Sequence, residues 1–203
     1  MERYQDYVIR DGKFVGKFEE MYQKFDDPWH QSEDGYFDNL SRKVVAHFIK
    51  QYQITSSVEF GCGLGNTTSF IQKETNIETM GVDISETSIR KAKRKYPSIS
   101  FEVNNIENIL DYSQFQCFFF SEITWYLLED KLLDKVFRKM KNNLTGKFFI
   151  HNLTFYKGQQ KYGNNYFTNL QNFLEFCPFK LLSKVEIEDS DCDAYQTSSI
   201  FLI

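Results

Sequence analysis

Between Val58 and Thr68 the chain reads VEFGCGLGNTT, with Gly61, Gly63 and Gly65 on alternate positions. Glycine loses more backbone freedom on folding than any other residue, so such a cluster marks a sharp bend or a close approach to a ligand. One acid, Glu59, precedes the turn, and a second, Asp83, closes the apolar stretch ETMGVDI. A carboxylate at a strand end accepts hydrogen bonds from paired hydroxyls such as those of a ribose. Three more side chains able to exchange a proton fall at predicted strand ends or loops: Glu122, His151 and His30. Trp29, Trp125 and Tyr126 offer flat apolar faces with a polar edge, which suit a sugar ring or another small organic molecule.

The elements that must position these groups follow from pattern. Apolar spacing predicts a helix from about Asn39 to Gln51, with Leu40, Val44, Val45, Phe48 and Ile49 on one side. SSVEF (Ser56–Phe60) reads as a strand, and the glycine turn leads into a helix from about Thr67. ETMGVDI (Glu78–Ile84) is a second strand, followed by a helix over Glu86 to Tyr96 with Ser85 as its N-cap. ISFEV (Ile99–Val103), FQCFFF (Phe115–Phe120) and GKFFIHNL (Gly146–Leu153) continue the strands, with an amphipathic helix over Glu129–Asn143 between the last two. Short apolar runs with little alternation suit a parallel sheet buried on both faces. After a polar loop (Phe155–Tyr166) and a short helix to about Phe176, LLSKVEIED (Leu181–Asp189) and YQTSSIFLI (Tyr195–Ile203) read as a closing antiparallel pair. The expected fold is a doubly wound α/β sheet of about seven mostly parallel strands with an antiparallel C-terminal strand.

Composition narrows the function. At 203 residues one domain is expected, with residues 1–40, polar, aromatic and irregular, as a lid or cap on a domain spanning 41–203. The net charge of −4 and the lack of a dense basic groove argue against a nucleic-acid partner. RKAKRK (Arg90–Lys95) reads as a solvated helix face. The four cysteines make no CxxC or Cys/His metal spacing, and no run is apolar enough to span a membrane. With no signal peptide, a reduced cytoplasmic protein is expected. No pattern fixes an oligomeric state.

A dinucleotide fingerprint, G-x-G-x-x-G, would place its third glycine at Asn66, so a nicotinamide cofactor fits poorly. The stretch instead reads E-x-G-x-G-x-G over Glu59–Gly65, and with Asp83 and the βα alternation it resembles class I S-adenosylmethionine-dependent methyltransferases, a Rossmann-like fold. The resemblance implies S-adenosylmethionine as cofactor. The glycines would pass close to its methionine and ribose, Glu59 would meet the methionine end, and Asp83 the ribose hydroxyls. Ile84 would pack on adenine, Asn105 would accept from its amino group, and the Ile106 amide would donate to it. Asn104–Asn105 stands where relatives often carry Gly-Asp. Ser121, directly after the fourth strand, falls in a segment that lines cofactor and substrate in that family.

A narrower likeness joins Phe25, Asp27-Pro28-Trp29, Tyr36 with Arg42-Lys43, Ser121-Glu122 and Trp125-Tyr126-Leu127. Together these resemble the NodS-like group, which includes N-methyltransferases acting on amino-sugar oligosaccharides. The likeness is absent from the Phe155–Tyr166 loop. The expected reaction is methylation of a nitrogen or oxygen on a small molecule, a sugar or sugar-derived metabolite first, with Glu122, His151 and His30 as candidate bases. A methyltransferase-like domain that binds without turnover is the competing expectation, and a nicotinamide-dependent oxidoreductase a more distant one.

Overall fold

A computed structural model describes residues 3–30, 39–158, 160, 162–188 and 191–203. Tyr36 lies outside the described residues, as do the residues from Gln31 to Asp38 around it. Residues 3–30 of the N-terminal segment, expected to be irregular, form regular elements. A 3-10 turn over Tyr4–Tyr7 leads into a hairpin of β1 (Ile9–Arg10) and β2 (Lys13–Phe14). Asp11 and Gly12 between them adopt positive φ of 53° and 73°, the backbone a two-residue hairpin loop requires. Helix α1 (Phe18–Lys24) follows.

Helix α2 (Leu40–Gln51) starts at Asn39, whose side chain accepts from the Ser41 amide. It buries Val45, Ala46, Phe48 and Ile49, whereas Leu40 in its first turn stays exposed. Then come β3 (Ser56–Phe60), α3 (Asn66–Thr75), β4 (Glu78–Asp83), α4 (Glu86–Lys95) and β5 (Ser100–Val103). A 3-10 helix over Ile106–Tyr112 replaces a full crossover helix before β6 (Cys117–Ser121). Helix α5 (Leu132–Asn143) begins three residues later than expected, because Asp130 and Lys131 take positive φ of 51° and 55° and break the helical path. Strand β7 (Phe148–Tyr156) runs beyond Leu153, since β9 pairs with it as far as Tyr156; α6 (Leu170–Phe176), β8 (Lys180–Glu188) and β9 (Ala194–Leu202) complete the chain.

The sheet has seven strands in the order β5-β4-β3-β6-β7-β9-β8, with β9 antiparallel to both neighbours. Strand order reverses between β3 and β6, and ligands bind at the carboxyl edge of such a switch point. Strand β6 shows why its run is uniformly apolar. Cys117 and Phe119 join the cluster packed under α2 and α3, while Phe118 and Phe120 join the larger one under α5 and α6. Among the described residues no helix is long and apolar enough to cross a membrane.

The N-terminal segment is held to this sheet through α4. The Glu19 carboxylate accepts from the Ser85 hydroxyl at 2.6 Å and from the Thr87 amide and hydroxyl at 3.1 and 2.7 Å, at the N-terminus of α4. In return the Lys91 ammonium donates to the carbonyls of Tyr22 and Phe25 at 2.9 and 3.1 Å, at the C-terminus of α1, and to Asp26. Each charge thus sits at the helix end of opposite polarity. Burial opposes ionisation of Glu19, but the Ser85 and Thr87 donors outweigh it and hold the carboxyl at about 2. Because the folded value lies below the unfolded one, this contribution is complete above the ordinary glutamate range and is lost as pH falls towards about 2. Glu19→Ala is expected to speed amide exchange of residues 3–30 roughly tenfold, the loss of charge-assisted hydrogen bonds, with the central sheet unchanged. Hydrogen-exchange mass spectrometry reads both regions, and acidification of the wild type from pH 5 to about 2 should reproduce the loss.

Candidate active site

The glycine turn begins where β3 ends. Gly61, Gly63 and Gly65 all take left-handed backbone, with φ of 72°, 52° and 75°. A Cβ on Gly61 would stand 2.2 Å from Ile123 Cγ2, and one on Gly65 2.5 Å from Phe101 Cζ. Both conformation and contact therefore exclude a side chain. Asp83, at the end of the neighbouring β4, ties the turn down. One of its carboxylate oxygens accepts from the Gly63 amide and the other from the Ser85 amide, each at 2.9 Å. Burial raises the Asp83 pKa, and the two amides act against that rise.

A cleft of about 610 Å³ opens along the carboxyl edge of the sheet. Gly61, Asp83, Ile84, Asn105, Ile106 and Ser121 line one part of it, as expected for a cofactor site. Ile84 is 57% exposed although its neighbours on β4 are buried, an apolar surface turned to the cleft. Asn105 caps the following 3-10 helix, its Oδ1 accepting from the Glu107 amide at 2.9 Å. Glu59, Gly63 and Gly65 do not reach the cleft surface. Glu59 lies beneath the turn, where it accepts from Thr68 Oγ1 at 2.5 Å, and burial lifts its pKa to about 7 against the pull of Thr68 and Arg42. The structure therefore makes Glu59 a support of the turn.

Trp29, Trp125, Tyr126 and Glu122 line the other part of the cleft. The Trp29 ring lies 6.3 Å from that of Tyr126, and its indole N–H donates to the Tyr22 hydroxyl at 3.1 Å. The Trp125 indole donates to the Thr154 carbonyl at 3.2 Å. Glu122 has a positive φ of 61°, and its amide donates to the Asn152 carbonyl at 3.0 Å. Its side chain is accessible from the cleft but enclosed by the walls, and burial raises its pKa against hydrogen bonds from Thr154 and the charge of Arg42.

Two candidate bases fall elsewhere. His151 was expected at the rim and is instead fully buried, with burial lowering its pKa to about 3. The period of two along β7 puts it on the face of Phe149 and Leu153, where its ring stacks on Phe173 at 3.9 Å and Nε2 meets Thr124 Oγ1 at 2.7 Å. It anchors the Thr124–Leu127 turn from behind. His30 has a positive φ of 52°, is exposed, and packs on Tyr4 at 6.1 Å, outside the cleft lining.

Sequence reasoning passed over Tyr4, Phe14 and Phe18 of the N-terminal segment, and Thr154 and Tyr156 of β7, all of which line the cleft. The aromatic density of the segment was a usable signal; Thr154 carried none, because the strand was expected to end at Leu153. Arg42 was noted only within a pattern, and it is the one basic side chain among the described residues lining the cleft.

Residues 58–146 match the model of a methyltransferase domain family. Over 83 residues the chain is 34% identical to protein 235L of Invertebrate iridescent virus 6, which is named for a methyltransferase; the match covers 38% of this chain and 29% of that one. Among solved structures, the N-methyltransferase NodS of Bradyrhizobium japonicum WM9 in complex with S-adenosylhomocysteine superposes with a TM-score of 0.69 at 15% identity, over 92% of this chain and 96% of that one. An S-adenosylmethionine-dependent methyltransferase of Clostridium acetobutylicum ATCC 824 gives 0.64 at 15% identity, over 92% and 98%. At such identities the likeness speaks for the fold, and the residues present fit the cofactor: a turn with no room for a Cβ, a carboxylate at the strand end and an apolar Ile84 facing the cleft. Residues 58–146 are thus similar to a methyltransferase domain, and the fold around them is like that of S-adenosylmethionine-dependent methyltransferases.

Proposed function

We propose that the protein is an enzyme that methylates a nitrogen or oxygen of a small molecule, with a sugar or sugar-derived metabolite as the leading class. One observation carries this reading. A single cleft joins the residues that fit the cofactor to an aromatic wall, and Glu122 stands among the residues lining it. Bound S-adenosylmethionine supplies an activated methyl on a sulfonium, and the protein's task is alignment and exclusion of water.

In this reading Asp83 accepts from the ribose hydroxyls, Ile84 packs on adenine, and Asn105 with the Ile106 amide meets its polar edge. Trp29, Trp125 and Tyr126 hold the acceptor, and the segment over residues 1–40 serves as its lid, with Tyr4, Phe14 and Phe18 contributing to the wall. Glu122 would take the proton that the acceptor's nitrogen or oxygen gives up on methylation. An oxygen acceptor needs this base; an amine needs only to arrive neutral. The aromatic and polar lining, with two acids, Asp83 and Glu122, against one basic side chain, Arg42, among the described residues, favours a small acceptor over a polyanion.

Calorimetric titration should show S-adenosylhomocysteine binding and no heat with NAD; binding of neither would overturn the cofactor assignment. Asp83→Ala should weaken S-adenosylhomocysteine by about 2 kcal/mol through a lost charged hydrogen bond, and should also lower the melting temperature, because the Gly63 and Ser85 amides lose their acceptor. Glu122→Gln should reduce turnover about a hundredfold while leaving cofactor affinity within twofold; equal rates on the true acceptor would remove Glu122 as the base.

A further inference from the structure

Thr154 was no part of the expected site, yet it spends every polar group it has on the loop after β6. Its amide donates to Glu122 Oε2 at 3.0 Å and its hydroxyl to Glu122 Oε1 at 2.9 Å. Its carbonyl accepts the Trp125 indole N–H at 3.2 Å. One residue of β7 thus holds both the acid and one of the aromatic rings of the acceptor wall.

We propose that Thr154 is a positioning residue that holds the Glu122 carboxyl aimed into the cleft and favours the ionised form in which it works as a base. This rests on the reading of Glu122 given above. A carboxylate offers about four lone-pair sites, so accepting two hydrogen bonds from Thr154 leaves lone pairs for an acceptor proton. The amide of Thr154 is a donor only, and its hydroxyl donates to the second oxygen; both favour the charged form. Burial works in the opposite direction and is the larger influence, so the two hydrogen bonds limit a rise that would otherwise be greater. Of the other groups facing Glu122, Arg42 on α2 also favours the carboxylate, while Tyr126 from the loop and Tyr156 on β7 are phenols that burial keeps neutral, and Tyr4 adds its phenol from the first turn. The positive φ of Glu122 is a conformation that persists only where the surroundings impose it, and the Asn152 and Thr154 contacts supply that constraint.

Thr154→Val keeps the shape and the strand preference of the side chain and removes only the hydroxyl. Carbon-13 titration of the Glu122 carboxyl in the full chain should show its midpoint raised by about one unit in Thr154→Val, and restored to the wild-type value in Thr154→Ser. This readout requires neither cofactor nor acceptor. With an acceptor in hand, the acid limb of the kcat profile should move upwards by the same amount, and KM for S-adenosylmethionine should stay unchanged. A Glu122 midpoint that is the same in Thr154→Val and wild type overturns the proposal; Thr154→Ala supplies the comparison if the valine variant does not fold. Unaltered turnover in Glu122→Gln would sink the base assignment itself, a result separate from the titration.

Discussion

The Asp83 carboxylate lies between two backbone amides, one in the glycine turn and one at the start of α4. The left-handed turn after β3 exposes amides that no helix or strand satisfies, and a buried donor without a partner is costly. Asp83 meets that need from the adjacent strand, and the register Phe60 opposite Val82 brings the two strand ends level. Removing the carboxylate would orphan both amides at once. The same side chain faces the cleft, so the bond that shapes the turn also presents a charged acceptor to a bound ligand. Ser85, which donates to Asp83, also receives the N-terminal segment through Glu19. Turn, α4 and the segment that walls the cleft are therefore linked through one short stretch of chain.

The acceptor side depends on β7 in a similar way. The loop after β6 carries Glu122, Trp125 and Tyr126, and loops without supports hold side chains poorly. Here the supports alternate along the strand. Thr154 engages Glu122 and Trp125 from one face, and His151 engages Thr124 from the other. A histidine read from sequence as a base is in fact one of the fixings, neutral because a buried imidazole has no room for a charge.

Much of the fold was legible because its signals are local. The βα alternation, the Ser85 cap and the glycine turn each occupy a few consecutive residues, and each appears where expected. The Asp11-Gly12 hairpin is equally local but was not expected, since its strands of two residues each are too short to show alternation. The 3-10 helix over Ile106–Tyr112 and the late start of α5 follow backbone choices that apolar spacing does not encode. Gly61, Asp83, Ile84, Asn105, Ile106 and Ser121 line the cleft, because strand ends and turns locate residues at a sheet edge without reference to the rest of the chain.

The sequence by itself determined a doubly wound sheet and a glycine turn at the end of its first strand, since glycine conformation and strand ends are properties of short segments. Only the tertiary structure decided which acids and histidines face the cleft. A strand shows opposite faces at alternate residues, and which face is core depends on what packs against it. Phe173 lies over one face of β7 and the cleft opens on the other, so His151 is buried and Thr154, three residues on, touches Glu122. Long-range pairing with β9 carried β7 far enough to reach Thr154 at all.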